Sequence, residues 1–364
     1  MAIGGLFKKP LRYIDNGIFQ KIFYLGAAGW MIINKMDKEI ILVDPWPSFS
    51  KTDKKQKKTK GKERIIKLAL WLREKVAQHY KLTGILAGHE HYDHIDDIPW
   101  ILKMLIDTTI SGPPPCTPEQ LPCIYCDSGS KEKLESSKFP YMNFSEIMDG
   151  DLKLFYDDIT VKKLVKKNVS GYPLTAGKAA NTMQIGSFLV TPYIWDHSNT
   201  VISNTTCFFT PLSGSYQRTS AFLIKRTHEE KILEEPRTTF IVGSGGEMCQ
   251  KYTSHVCDTK IDSDLLLQAV AAKAITNAFS YKKHLSKMVE YQTRNIRAKK
   301  IVSSHFEDFV FRITGPGELD SRIHLVEDYI EVLNKSLSNS GQNPPEVNIM
   351  ERLCFEYDPH EIML

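Results

Sequence analysis

The stretch Gly88-His89-Glu90-His91-Tyr92-Asp93-His94 places three imidazoles and the Asp93 carboxylate within six positions. Imidazole nitrogen and carboxylate oxygen are the donors that zinc, manganese and iron accept. Packing explains such a cluster poorly, because buried polar side chains need partners and these would mostly have one another. The chemistry they point to is metal binding. The apolar run Leu82-Thr83-Gly84-Ile85-Leu86-Ala87 precedes the cluster. A strand stopping at Gly88 would deliver these side chains on a tight connection at a sheet's end. There His89 and His91 alternate to one side, while Asp93 and His94 turn toward a neighbouring point.

Other residues share that setting. His197 closes the run Phe188 to Asp196, and His305 comes directly after Ile301-Val302-Ser303-Ser304. Asp44 stands at the end of a third apolar run, Glu39 to Val43. The ends of strands are where sites assemble in layered α/β folds, because loops there carry side chains on a rigid base. The other histidines (His79, His228, His255, His284, His324 and His360) fall within helices or polar loops and read as surface residues.

The elements that must position these residues follow from periodicity. Gln20 to Leu25, Gly29 to Ile33 and Glu39 to Val43 are short strands divided by glycines or charged turns. Ile65 to His79 is an amphipathic helix, and Asp96 to Asp107 a second, with Asp96 or Asp97 at its start and Pro99 in its first turn. Pro122 to Cys126 reads as a short strand running into a helix start at Asp127-Ser128-Gly129-Ser130. Further strands are expected at Leu152–Tyr156, Ile159–Leu164, Thr182–Pro192, Thr219–Lys225 and Thr238–Val242. Then come a helix over Tyr281–Ala298, a strand at Lys300–Ser303 and a helix over Ser321–Leu337. This order suggests an α/β (α+β) protein with two sheets sandwiched between helices. It fits one domain over 1–364 with insertions at about 47–64, 111–123 and 198–216. The last two insertions are expected to shape the pocket.

Composition bounds the class. The 364 residues are 42% hydrophobic and 25% charged, which are ordinary globular values. No window of about twenty apolar residues exists to span a membrane. The N-terminal segment lacks a signal-peptide core. Seven cysteines, an odd count, argue against a disulfide framework and for a reducing cytoplasm. Cys123-Ile124-Tyr125-Cys126 lacks a second pair at zinc-site spacing and reads as structural. The net charge of +4 is concentrated in Lys51 to Arg64. That run could attract a phosphodiester or nucleic acid. A solvated insertion is the preferred reading, since no aromatic residues interleave for base stacking.

The motif His-x-His-x-Asp-His at His89, His91, Asp93 and His94 resembles that of the metallo-β-lactamase-fold superfamily of metal-dependent hydrolases. Asp44, His197 and the His305-Phe306-Glu307-Asp308-Phe309 segment occur in the family's order. The last of these looks most like the branch near the ascorbate-phosphate lactonases. The resemblance implies a four-layer αβ/βα sandwich with two divalent metal ions at one edge, zinc first and manganese or iron as alternatives. Carried over, His89, His91 and His197 would hold one ion, and Asp93, His94 and His305 the other. Asp44 would orient a ligand by hydrogen bonding. The family's bridging aspartate is missing, since the aligned position in Ser244-Gly245-Gly246-Glu247 is Gly246. Glu247 could reach in, two ions could bind without a carboxylate bridge, or one site alone could fill.

The function implied is hydrolysis of a small-molecule or phosphodiester substrate. A metal-bound hydroxide would attack an ester-like bond, phosphodiester or lactone, with Asp93 orienting it or passing its proton. Two readings compete. One is a mono-iron oxygenase of the persulfide-dioxygenase kind, which would contain iron and consume oxygen. The other is a non-catalytic metal-binding scaffold. The sequence leaves the oligomeric state open.

Overall fold

A computed structural model describes residues 13–15, 20–48, 61–146, 182–196, 218–226, 238–243, 260–270, 285–286, 288–290, 292–293, 295–304, 323–339 and 345–349. Expected features at His197, Glu247, His305, 152–164 and 198–216, and the lysine-rich run up to Lys60, lie outside them.

The first sheet holds β1 (Ile14–Asp15), β2 (Gln20–Gly26), β3 (Gly29–Asn34), β4 (Glu39–Val43), β5 (Lys81–Leu86), β6 (Cys123–Cys126) and β7 (Asn143–Glu146), in that spatial order. β1 to β4 pair antiparallel, and β4 to β7 pair parallel. The second sheet repeats the plan with β8 (Met183–Ile185), β9 (Phe188–Asp196), β10 (Arg218–Arg226), β11 (Thr239–Val242), β12 (Ile261–Ala269), β13 (Ile296–Ser304) and β14 (Glu346–Ile349). β8 to β11 pair antiparallel, and β11 to β14 parallel.

Strand alternation sorts the apolar residues into layers. In β2 and β4, Ile22, Tyr24, Ile41 and Val43 face the second sheet and meet Val190, Phe222, Ile241 and Leu267. Their neighbours Phe23, Leu25, Ile40 and Leu42 face the opposite way. That outer face is covered by α1 (Lys62–Ala77), α2 (Tyr92–Ile95), α3 (Ile98–Ile106) and α4 (Ser128–Glu135), through Leu68, Leu72, Ile95, Ile101, Leu102 and Leu134. The second sheet's outer face packs Phe240, Leu266 and Ile301 on α5 (Ile323–Asn339), through Val326, Tyr329 and Leu333. The result is the expected four-layer sandwich of helices, sheet, sheet and helices. Among the described residues no helix is long and apolar enough to cross a membrane.

Several expectations need correction. The strand expected over Thr182–Pro192 is a hairpin, β8 and β9 turning at Gly186 with φ +59°. There Asn34 Nδ2 donates to Ser187 Oγ at 2.8 Å, tying the two sheets together. The helix expected over Tyr281–Ala298 yields to β13 at Ile296, where pairing with Ile261 extends the parallel ladder. β12 in the interior of the second sheet, and the edge strands β7 and β14, are elements that the sequence pattern does not predict. The lysine-rich run loses its end to α1, which begins at Lys62. The segment expected as an insertion over 111–123 packs on α1 and α3. Cys116 N bonds to Leu105 O at 2.9 Å, at the C-terminal end of α3, and Gly112 lies against Leu70. Cys123 then enters β6 level with Gly84, behind the strand ends that carry the histidines. Cys123 and Cys126 project to opposite faces of β6, with Cys126 in the helix-side core, so they cannot share a metal ion.

Candidate metal centre

β4 and β5 pair in parallel up to Val43 and Leu86, so both chains leave the sheet at one edge. Asp44 N still bonds to Leu86 O at 2.9 Å, but Asp44 adopts φ +44°, a left-handed turn that aspartate tolerates better than most residues. The turn sends its carboxylate across the end of β5. Asp44 Oδ1 accepts from Gly88 N at 2.6 Å, and Oδ2 lies 2.8 Å from His94 Nδ1. Both side chains are 1% exposed.

After Gly88 the chain runs His89 and Glu90 into His91, which precedes the single helical turn of α2. His94 N and Ile95 N both bond back to His91 O, at 3.1 and 3.2 Å. That turn folds Asp93 and His94 beneath His91. The His89 ring lies 4.5 Å from that of His91 and 3.9 Å from that of His94, centroid to centroid. Asp93 Oδ2 lies 3.9 Å from His94 Nε2. His89, Asp93 and His94 are buried.

The donor set suits a divalent cation. The Asp44 contact assigns the His94 proton to Nδ1 and its lone pair to Nε2, the nitrogen on the side of Asp93. Burial pushes the His94 pKa down, but the Asp44 and Asp93 charges outweigh it, and the net shift is upward. Among the described residues no three such donors converge closely enough to hold an ion by themselves. The expected remaining ligands, His197 and His305, lie outside the described residues, but the strands leading to them do not. Register across the second sheet puts Val242 level with Gln268, Ser303 and Tyr193. β9 and β13 therefore end at the same edge as β11, at or just beyond the level of Gly243.

Gly243 joins the second sheet to the first at this edge. A Cβ there would fall 2.7 Å from Asp44 Oδ2 and 3.6 Å from His94 Cε1. A Cβ on Gly88 would meet Asp44 Oδ2 at 2.8 Å. The carboxylate is thus held between two glycines and cannot yield without releasing Gly88 N or His94 Nδ1. Gly243→Ala is expected to destabilise the fold by about 1–3 kcal/mol, the usual cost of overpacking a tight interior, read from urea unfolding.

Asp97 stands at the helix start, as expected. It holds the N-cap position of α3, with Pro99 in the first turn as expected, but its carboxylate makes no cap bond. Instead it accepts from Ser48 N at 2.7 Å and contacts Ser48 Oγ at 2.9 Å, anchoring the chain four residues past Asp44. Burial pushes its pKa up to about 7 against the two Ser48 bonds. An acid raised in the fold keeps its proton where the unfolded chain has lost it, so stability falls as pH rises from about 4 to about 7 and is level beyond. Asparagine can serve both Ser48 groups without charge. Asp97→Asn should therefore gain up to about 4 kcal/mol over the natural protein at pH 8, the equivalent of a three-unit shift, and nothing at pH 4. Unfolding at the two pH values measures it.

The bond from Lys133 Nζ to Glu90 O and the Asp97–Ser48 pair carry no sequence signal, because each joins residues more than forty positions apart. The two glycines are visible in the sequence only as a strand end and a turn.

No protein-family profile matches the chain, and no curated protein matches it in sequence. Solved structures similar in shape include a protein of Parabacteroides distasonis assigned as a metal-dependent hydrolase, at 13% identity and TM-score 0.43, covering 92% of this chain and 93% of that one. The metallo-β-lactamase-fold protein YhfI of Bacillus subtilis shares 12% identity at TM-score 0.44, over 92% and 97% of the two chains. CmlA, a diiron β-hydroxylase of Streptomyces venezuelae, shares 9% identity at TM-score 0.44, over 91% of this chain and 53% of that one.

Proposed function

We propose that this chain is a metal-dependent hydrolase that cleaves an ester-like bond of the phosphodiester or lactone class. The observation that carries the reading is the His89–His94 turn at the end of β5, with His89, Asp93 and His94 buried and Asp44 orienting His94. Its residues match the motif of the metal-dependent hydrolases that the sequence resembles. On this reading His89, His91 and His197 serve one ion, and Asp93, His94 and His305 a second. Glu247 or no protein carboxylate at all joins the two. When bound, such ions, zinc foremost, supply an acidified water and positive charge for the oxygens of the bond being cleaved.

The chain's own residues do the rest. Asp44 keeps His94 in the tautomer whose Nε2 can donate a lone pair. Asp93, buried beside that nitrogen, is placed to orient an attacking water and accept its proton. The Gly243 backbone brings the second sheet against Asp44 and closes the wall of the site.

A panel of lactone, phosphodiester and thioester substrates tests the proposal, with chelator treatment and His91→Ala as controls. Turnover should appear in the lactone or phosphodiester class, vanish with chelator, return with zinc or manganese, and be absent from His91→Ala. One bound iron with oxygen uptake on a thiol-derived substrate would overturn it in favour of an oxygenase. Full turnover by His91→Ala would refute the site assignment.

A further inference from the structure

β6 runs parallel to β5, with Tyr125 level with Leu86, so both strands hand their chains off at the same edge. β5 leads into the histidine turn, and β6 leads into α4. Asp127 caps that helix by accepting from Ser130 N at 2.6 Å. From its second turn Lys133 reaches back over the histidine turn. Its ammonium donates to Glu90 O at 2.8 Å and lies 2.9 Å from Asp96 Oδ1. The Glu90 carboxylate rests against the helix's first turn, since a Cβ on Gly129 would fall 2.9 Å from Glu90 Oε2. A carboxylate is favoured there, at the positive end of the helix.

Glu90 adjoins His89, and Glu90 and Asp96 flank His91, Asp93 and His94. One side chain therefore grips both ends of the segment that carries three of the four candidate ligands, next to the fourth. We propose that Lys133 is a positioning residue, a strut that fixes the spread of the His89–Asp96 turn and thereby the affinity of the centre for its metal. This role rests on the reading of the turn as a metal site.

The sign of the effect separates a strut from a mere surface charge. A cation near a cation site opposes binding. If Lys133 acted through its field alone, removing the charge would tighten metal binding. If it acts as a strut, removing it frees the turn and weakens binding. Stability should change little in either case, because Lys133 and Asp96 are 41% and 48% exposed and such ion pairs contribute little to the fold.

Zinc affinity, measured by competition with a chromophoric chelator, tests this in the full chain, in Lys133→Met and in Lys133→Arg. The melting temperature of each metal-free protein is recorded alongside. Lys133→Met should bind zinc about tenfold more weakly, within the range for groups that orient ligands, and melt near the natural protein. Lys133→Arg, which can still span both acceptors, should recover most of the loss. Equal or tighter binding by Lys133→Met would overturn the proposal while leaving the metal reading intact. A loss that arginine does not rescue, accompanied by a large drop in metal-free melting temperature, would also overturn it. A natural chain with no zinc affinity would remove the metal reading itself.

Discussion

Asp44→Ala is expected to cost about 2–5 kcal/mol of stability, through two buried donors each worth about 1–3 kcal/mol when left without an acceptor. Those donors are Gly88 N and His94 Nδ1, at 2.6 and 2.8 Å from the carboxylate. The backbone at position 44 adds to the cost, because φ +44° suits aspartate or asparagine better than alanine. Asp44→Asn separates fold from site. Its amide oxygen can still accept from Gly88, and its left-handed turn is retained, so the fold should survive. Its NH2 group, however, faces His94 Nδ1 as a donor. His94 must then accept there and carry its proton on Nε2, the nitrogen proposed to serve the metal. We expect Asp44→Asn to fold normally yet bind metal about 10–100-fold more weakly. Parallel unfolding and chelator-competition measurements read the two effects. An asparagine variant with natural affinity would show that Asp44 does not act through His94.

The second large effect lies away from the histidine turn. Arg73, 1% exposed on α1, donates through Nε to Leu105 O at 2.9 Å and through one terminal nitrogen to Met104 O and Asp107 O, each at 2.5 Å. Those carbonyls end α3 without partners inside the helix, Leu105 O accepting also from Cys116 N, and a guanidinium is the side chain whose geometry can reach all three. Arg73→Met should cost about 2–5 kcal/mol, since buried carbonyls left without a donor cost about 1–3 kcal/mol each. Lysine, with one nitrogen in place of a planar fork, should recover less than half. Because this cap touches none of the candidate ligands, the metal bound per folded chain should not change. A loss under about 1 kcal/mol in urea unfolding would contradict the packing of α1 against α3.

The candidate centre was legible because its first half is local. His89, His91, Asp93 and His94 are neighbours in the chain, and the apolar run before them marks the strand that ends there. Asp44 was legible for the same reason, as the residue where β4 runs out. Long-range contacts left no mark. Nothing in the sequence connects Lys133 to Glu90, Asp97 to Ser48 or Gly243 to Asp44, since each pairing arises only when β6, α3 or β11 is laid against the site. β12 does not read as a strand because Asp262 and Asp264 interrupt its apolar run. Both meet surface cations, Arg297 and Lys299, each at 2.7 Å, in the half of the strand that projects toward solvent. Only Leu265 to Leu267 look like a strand, and three residues are too few to distinguish one. The helical pattern from Tyr281 ran on through Ile296 because β13 opens with residues that fit either period, and pairing with β12 decides it.

Metal content tests the central claim most directly. Elemental analysis of the purified full chain should find divalent metal bound, about two ions where both half-sites fill. In His89→Ala and His91→Ala the content should fall sharply while the metal-free proteins remain folded. A natural chain that binds no zinc, manganese or iron, or a His89→Ala/His91→Ala double variant that holds as much metal as the natural chain, would contradict the account.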